Sequence, residues 1–337
     1  MCCRTDGARA AFALLCCVFP GCSSPDNIRE EPVRLSNGAI SLAGTLVLPA
    51  GRGPYPAVVL FHGSGPQARD LSTARWFAQQ GVAALAYDKR GVGESSGDFR
   101  QVAFPELCGD GLAGFAMLKS RPDIQARKIG VWGISQGGWL GPLAAARSKD
   151  VAFVIAVSGP GVTPGEQMIF YYANRLRHQG FLESEVAEAS AVRRVVWDYL
   201  ATGSGYAEVK EALTRARSRR WFQALGGQED GLFAQTDKAI LNAGAKQYQP
   251  WFRSEMNYDP TKALREISVP ILFVFGDADD LVPVPASVDI IRRTLADSYE
   301  ISSSTSFPAA IMGSTWMPPT AQEPSPLGTW ISSQAGF

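Results

Sequence analysis

The sequence predicts an α/β fold with a mostly parallel, doubly wound sheet interrupted late by a helical insertion. Three observations carry this. Short apolar runs alternate with helical stretches of ten or more residues, as in successive βαβ units. The central runs, such as Ala57–Phe61 and Val151–Val157, are continuously apolar, as in strands covered on both faces. From about Gly161 to Leu264 the strand character stops, and it returns only at Pro270–Phe275.

Taken in order, Pro25–Glu31 is polar and reads as loop. Ile40–Leu48 alternates with period two and is closed by Pro49, which reads as a half-buried strand. Ala57–Phe61 is a buried strand. A helix over Asp70–Gln80 follows, with Gly81 as its C-cap. Val82–Tyr87 is the next strand and leads into the glycine-rich loop Arg90-Gly91-Val92-Gly93-Glu94. A helix over about Pro105–Lys119, a strand at Ile129–Trp132, a helix from Gln136 and a strand over Val151–Val157 complete the first part. The insertion is rich in Arg, Glu and Ala and carries Tyr171, Tyr172, Trp197, Tyr199, Trp221, Phe222, Trp251 and Phe252. Most of these aromatics suit helix-to-helix packing, and some could line a substrate pocket.

The 337 residues allow one large core, and the 32 basic and 32 acidic side chains balance. No basic excess points to a nucleic-acid partner, and no apolar run is long enough to span a bilayer. Five of the six cysteines lie at Cys2, Cys3, Cys16, Cys17 and Cys22, so the folded part has no disulfide framework; Cys108 reads as a small buried hydrophobe. Arg4 and Arg9 precede an apolar stretch over Ala10–Val18, which is the pattern of a signal peptide over residues 1–22. Gly21-Cys22 resembles a bacterial lipoprotein box, although Phe19 stands where Leu is usual. The expectation is an exported chain, periplasmic or anchored to a membrane by lipid on Cys22.

Gly133-Ile134-Ser135-Gln136-Gly137 matches G-x-S-x-G between an expected strand and an expected helix. In that context the glycines permit a tight turn that lifts a nucleophilic hydroxyl above the sheet. Acyl transfer also needs donors for the oxyanion. One is expected at the backbone N–H of Gln136. The other is expected at the turn Phe61-His62-Gly63-Ser64-Gly65, from Ser64, with Gly63 or Gly65 as alternatives.

Together the His62-Gly63 turn, the loop Tyr87-Asp88-Lys89-Arg90-Gly91-Val92-Gly93-Glu94-Ser95 and the elbow at Ser135 resemble the α/β-hydrolase superfamily. More narrowly, they resemble its capped bacterial esterases, with kinship to dienelactone-hydrolase-like and prolyl-oligopeptidase-like members. The resemblance covers roughly Ile40 to Glu300 and implies a Ser–Asp–His triad in that chain order. It implies no metal or organic cofactor and a small-molecule ester as partner. Phe275-Gly276-Asp277-Ala278-Asp279-Asp280-Leu281-Val282-Pro283 is similar to the family's acid turn. Asp279 is then the acid, and Asp277 and Asp280 are competitors. The implied layout is a core over 30–160 and 265–302 with a helical cap over 161–264.

The implied histidine is missing. The chain has two histidines, His62 and His178. The first belongs to the oxyanion turn and the second precedes Asp279, whereas the family's base follows the acid by roughly 30 residues. After Glu300 the sequence turns to Ser, Thr, Pro and Gly, with Glu323 as its only charge, and offers neither a final strand nor a clear amphipathic closing helix. A shifted reading frame near Ser302 would explain both. With GC-rich synonymous codons, the bases for Phe307–Pro318 read in another frame give Pro-Gly-Gly-Asp-His-Gly-Leu-Tyr-Val-Asp-Ala. Residues 303–337 are on this reading an aberrant tail. The expected activity is ester hydrolysis through Ser135, impaired by loss of the base. A peptidase or thioesterase of the same fold, or a non-catalytic remnant, is the alternative.

Overall fold

A computed structural model describes residues 28–225, 236–251, 255–296 and 306–307. Eight strands form one sheet: β1 Arg29–Asn37, β2 Ile40–Leu48, β3 Tyr55–Phe61, β4 Ala83–Tyr87, β5 Ile124–Ile134, β6 Val154–Val157, β7 Ile271–Gly276 and β8 Ser306–Phe307. Their order is β1-β2-β4-β3-β5-β6-β7-β8. The first two pair antiparallel as a hairpin, β2 runs antiparallel to β4, and the remaining strands are parallel.

Strand β1 corrects the loop expected through Glu31. Only Val33 and Leu35 of this edge strand pack against the core, and its charges face outward. Polar alternation on an edge therefore reads as loop in the sequence. Glu30 and Glu31 are held there by Arg75 and Arg121. Charged side chains also protect an exposed edge from pairing with another chain.

Around the sheet lie α1 Leu71–Gln79, α2 Phe104–Lys119, α3 Gln136–Arg147, α4 Pro164–His178, α5 Glu183–Thr202, α6 Tyr206–Ala216, α7 Arg220–Leu225, α8 Lys238–Trp251, α9 Pro260–Glu266 and α10 Val284–Leu295. Alternate residues of the strands divide between two cores. Val58, Leu60, Trp132 and Ile155 pack with Trp76 and Phe77 of α1. Val59, Phe61, Leu85 and Val131 pack on the other face with Phe115 of α2, Trp139 of α3 and Ile291 of α10. The sheet is thus covered on both sides, as its near-continuous apolar strands require.

Helices α4 to α8 build a separate core from Leu176, Val196, Tyr199, Leu213, Trp221 and Phe222, among others. Three of the aromatics noted in the sequence therefore serve helix packing. Helix α9 does not belong to that cluster: Leu264 and Ile267 enter the sheet-side core beside α2 and α3. Cys108 is buried and free, as expected. Strand β8 pairs parallel to β7 through Phe275–Ser306 and Gly276–Phe307, so a short final strand exists where none was expected. The signal segment, Cys22, Phe252 and the tail beyond Phe307 lie outside the described residues.

The chain goes from β3 to one side of the sheet and then, through β4, crosses back to β5 on the other side. Such a reversal opens a crevice at the carboxyl ends of the flanking strands, where open α/β sheets bind ligands. Phe61 of β3 lies beside Gly133 of β5, so both the His62 turn and the Ser135 turn open at that crevice.

Candidate active site

Ser135 sits between β5 and α3 with φ +52° and ψ −111°, a conformation rarely adopted by a residue with a side chain. It is held there by its own N–H donating to Val157 O at 2.9 Å and by its carbonyl accepting from Gly138 N–H at 2.8 Å. The neighbouring glycines are sterically required. A Cβ on Gly133 would lie 2.1 Å from the Gly137 carbonyl oxygen, and one on Gly138 would lie 2.2 Å from Gly159 Cα. A Cβ on Gly137 would meet Phe61 O at 2.6 Å and His62 O at 3.0 Å. The end of β3 and the start of α3 therefore touch through bare backbone, next to Ser135.

The structure narrows the choice of oxyanion donors. Gly63 N–H already donates to Gln67 Oε1 at 2.9 Å, which leaves Ser64 and Gly65 as candidates in that turn. Gln136 is the first residue of α3, where an N–H has no acceptor within the helix. Its side chain is buried and fully engaged: Oε1 accepts from Lys89 Nζ at 2.6 Å, and Nε2 donates to Glu255 Oε1 at 2.6 Å. Lys89 also donates to Gly63 O at 2.8 Å and Gly65 O at 3.1 Å. Burial pushes its ammonium down to about 8, against the pull of Glu255.

Asp279 follows β7 and is 8% exposed. Its Oδ1 accepts the N–H groups of Leu281 and Val282, both at 3.0 Å. Its Oδ2 is buried and has no hydrogen-bond partner among the described residues. Asp277 and Asp280 are exposed. Burial, half-satisfied geometry and placement at a strand's carboxyl end thus separate Asp279 from its two competitors.

Neither histidine meets Asp279. His62 is half-buried in its turn, with Nε2 at 2.5 Å from Tyr87 O and its ring edge-on to Tyr87. Desolvation, reinforced by Lys89, lowers it to about 4, so it stays neutral at physiological pH. His178 is exposed on α4 and lies 3.3 Å from Asp280 Oδ2.

Two further ion pairs brace the loop after β4. Arg69 Nη2 meets Asp88 Oδ2 at 2.6 Å, and Arg90 Nη2 meets Asp110 Oδ1 at 2.6 Å. Burial raises Asp88, but hydrogen bonds from Arg69 and from the Glu94 N–H outweigh it and hold the carboxylate at about 2. The Lys89–Gln136–Glu255 chain was not legible in the sequence. Lys89 lies in a quoted motif, yet nothing in the string shows that Glu255, 119 positions from Gln136, returns to it.

Residues 53–218 match the family described as serine aminopeptidase, S33. The architecture aligns with the hypothetical protein PA2218 of Pseudomonas aeruginosa at a TM-score of 0.55 and 20% identity, over 93% of this chain and 98% of that one. It aligns with the alpha/beta hydrolase GrgF of Penicillium sp. sh18 at a TM-score of 0.53 and 19% identity, over 92% and 99%. The chain has the α/β-hydrolase fold. Esterase EstD of Thermotoga maritima is 27% identical over 270 residues, covering 77% of this α/β-hydrolase but 54% of EstD, so the chain spans about half the length of that relative. Among the described residues of this α/β-hydrolase, no helix is long and apolar enough to cross a membrane.

Proposed function

We propose that this α/β-hydrolase is built to cleave carboxylic esters through an acyl-enzyme on Ser135. The observation that carries the proposal is Ser135 itself, held at positive φ on a strand-to-helix turn whose glycines admit no side chain. The similarity to an esterase supports the substrate class. In the reaction, Ser135 Oγ attacks the ester carbonyl carbon while a base takes its proton. The N–H groups of Ser64 and Gln136 hold the oxyanion, the protonated alcohol departs, and water releases the acid. Asp279 orients the base: its buried Oδ2, without a hydrogen-bond partner among the described residues, is an acceptor that a histidine Nδ1–H would suit.

The placement of the chain's two histidines, at Tyr87 and at Asp280 rather than at Asp279, favours a second statement about the same site: the chain is an impaired hydrolase. Loss of a triad member typically costs several orders of magnitude in turnover. The test is hydrolysis of p-nitrophenyl butyrate by the chain as it stands, by a frame-restored chain carrying Asp-His-Gly, and by Ser135→Ala in each. The restored chain should be fast and its Ser135→Ala variant inert. Rapid Ser135-dependent turnover by the unrestored chain would show that a base is present after all. A folded restored chain inert to esters but active on amino-acid p-nitroanilides or acyl thioesters would move the reading to a peptidase or thioesterase. Export and lipidation of Cys22 belong to the same proposal, and loss of membrane-fraction recovery in Cys22→Ser is the matching result.

A further inference from the structure

Lys89 is fully committed to neighbours of the reaction centre. An ammonium has three N–H donors, and here they go to Gly63 O, Gly65 O and Gln136 Oε1. Its backbone N–H also donates to Gln67 O at 3.0 Å, and Gln67 Oε1 in turn takes the Gly63 N–H. The turn from Gly63 to Gln67 is therefore pinned at three points to one residue just past β4, and once more within itself. The residue is 2% exposed, so bulk solvent has little access to these bonds.

The consequence for the oxyanion donors follows from peptide geometry. In a trans peptide the C=O and the next N–H point in opposite directions. Aiming the Gly63 carbonyl at buried Lys89 turns the Ser64 N–H the other way, away from the ammonium. The same ammonium grips Gln136, whose N–H is the other expected donor, and Glu255 closes the far side of that amide. Because Glu255 follows α8, and its neighbour Met256 packs in the core of the helical insertion, the brace also links the insertion to the elbow.

We infer that Lys89, backed by Gln136 and Glu255, is a positioning residue that sets both oxyanion-hole N–H groups for catalysis. The inference rests on the ester-hydrolase reading and names a part of its machinery that touches no substrate. Its role is to spare the site reorganisation when charge develops on the oxyanion.

The test is Lys89→Met, made in the full chain and in the frame-restored chain, with kcat and KM for p-nitrophenyl butyrate measured separately. The unrestored chain suits this because the rate that survives without a triad member comes from the oxyanion hole and binding. In both backgrounds kcat should fall by about tenfold to 10²-fold, on the scale of losing a donor, with KM within about twofold, as for an interaction made only in the transition state. A structural lesion would instead lower active-site titre or raise KM. Should Lys89→Met fold poorly because it strands Glu255, the Lys89→Met/Glu255→Gln double variant removes both charges and should show the same kcat loss. If Ser135→Ala abolishes the restored activity while kcat is unchanged in the folded lysine variants, the positioning role is overturned alone. If Ser135→Ala is without effect, the ester-hydrolase reading falls and this inference falls with it.

Discussion

Neutral, half-buried His62 should make the fold acid-sensitive above the range where carboxylates titrate. Its imidazole is lowered from 6.5 to about 4, first by desolvation and then by Lys89. The folded chain therefore binds this proton less readily than the unfolded chain. Stability from this group is present above 6.5 and is lost as pH falls towards 4. Linkage between those two values gives a loss of about 1.8 kcal/mol from pH 7 to pH 5. The full loss is about 3.4 kcal/mol once the folded-state value is passed. Asp88 loses its contribution only between 3.8 and about 2, so the two windows do not overlap. Urea unfolding of the full chain and of His62→Gln at pH 7 and pH 5 reads the difference directly. The parent should lose most of the stated 1.8 kcal/mol, and the variant should lose much less. An undiminished pH dependence in His62→Gln would refute the assignment, because the acid-labile group would lie elsewhere.

Three further outcomes follow from the geometry. Gly138→Ala places a methyl on Gly159 Cα, and thermal unfolding should show a drop of about 1–3 kcal/mol, the usual cost of overpacking. Arg90→Leu takes the guanidinium from Asp110, which is 1% exposed and keeps the hydrogen bond from the Asn37 amide, and should destabilise by about 3–5 kcal/mol in denaturant unfolding; Arg90→Leu with Asp110→Asn should recover part of that. Asp279→Asn should leave the slow ester hydrolysis of the unrestored chain nearly unchanged, but lower kcat of the frame-restored chain by about 10⁴-fold, measured on p-nitrophenyl butyrate.

What the sequence made legible was what a local pattern can encode. The apolar runs at Ala57–Phe61 and Val151–Val157 announce strands because both faces are buried and no polar residue interrupts them. Gly133, Ser135 and Gly137 announce the elbow because a turn that tight excludes side chains at the two positions that flank the serine by two. Strand β1 was missed for the complementary reason. An edge strand keeps one polar face, so Arg29-Glu30-Glu31 carries no apolar alternation to detect. The boundary of the helical insertion was legible only roughly, because α9 is as helical as α8 and only packing assigns Leu264 to the sheet-side core. Glu255 was illegible altogether, since its importance lies in a contact with Gln136 made across the whole insertion.

The acid turn shows how a structure can specify a residue that the sequence lacks. Three aspartates stand at 277, 279 and 280, and similarity of motif alone ranks them. Burial separates them physically: only Asp279 is buried, and two backbone N–H groups from Leu281 and Val282 fix its carboxylate on one oxygen. Its second oxygen is buried and has no hydrogen-bond partner among the described residues, and a buried carboxylate oxygen is costly unless a donor meets it. The loop holds that oxygen in place whether or not a partner arrives, because both N–H bonds come from its own turn. The site is thus preorganised for one N–H donor of the kind an imidazole carries. His178 does not fill it, being drawn to exposed Asp280. His62 cannot reach it while its Nε2 faces Tyr87. On the proposed reading, an Asp-His-Gly placed after α10 by a changed reading frame would supply that donor.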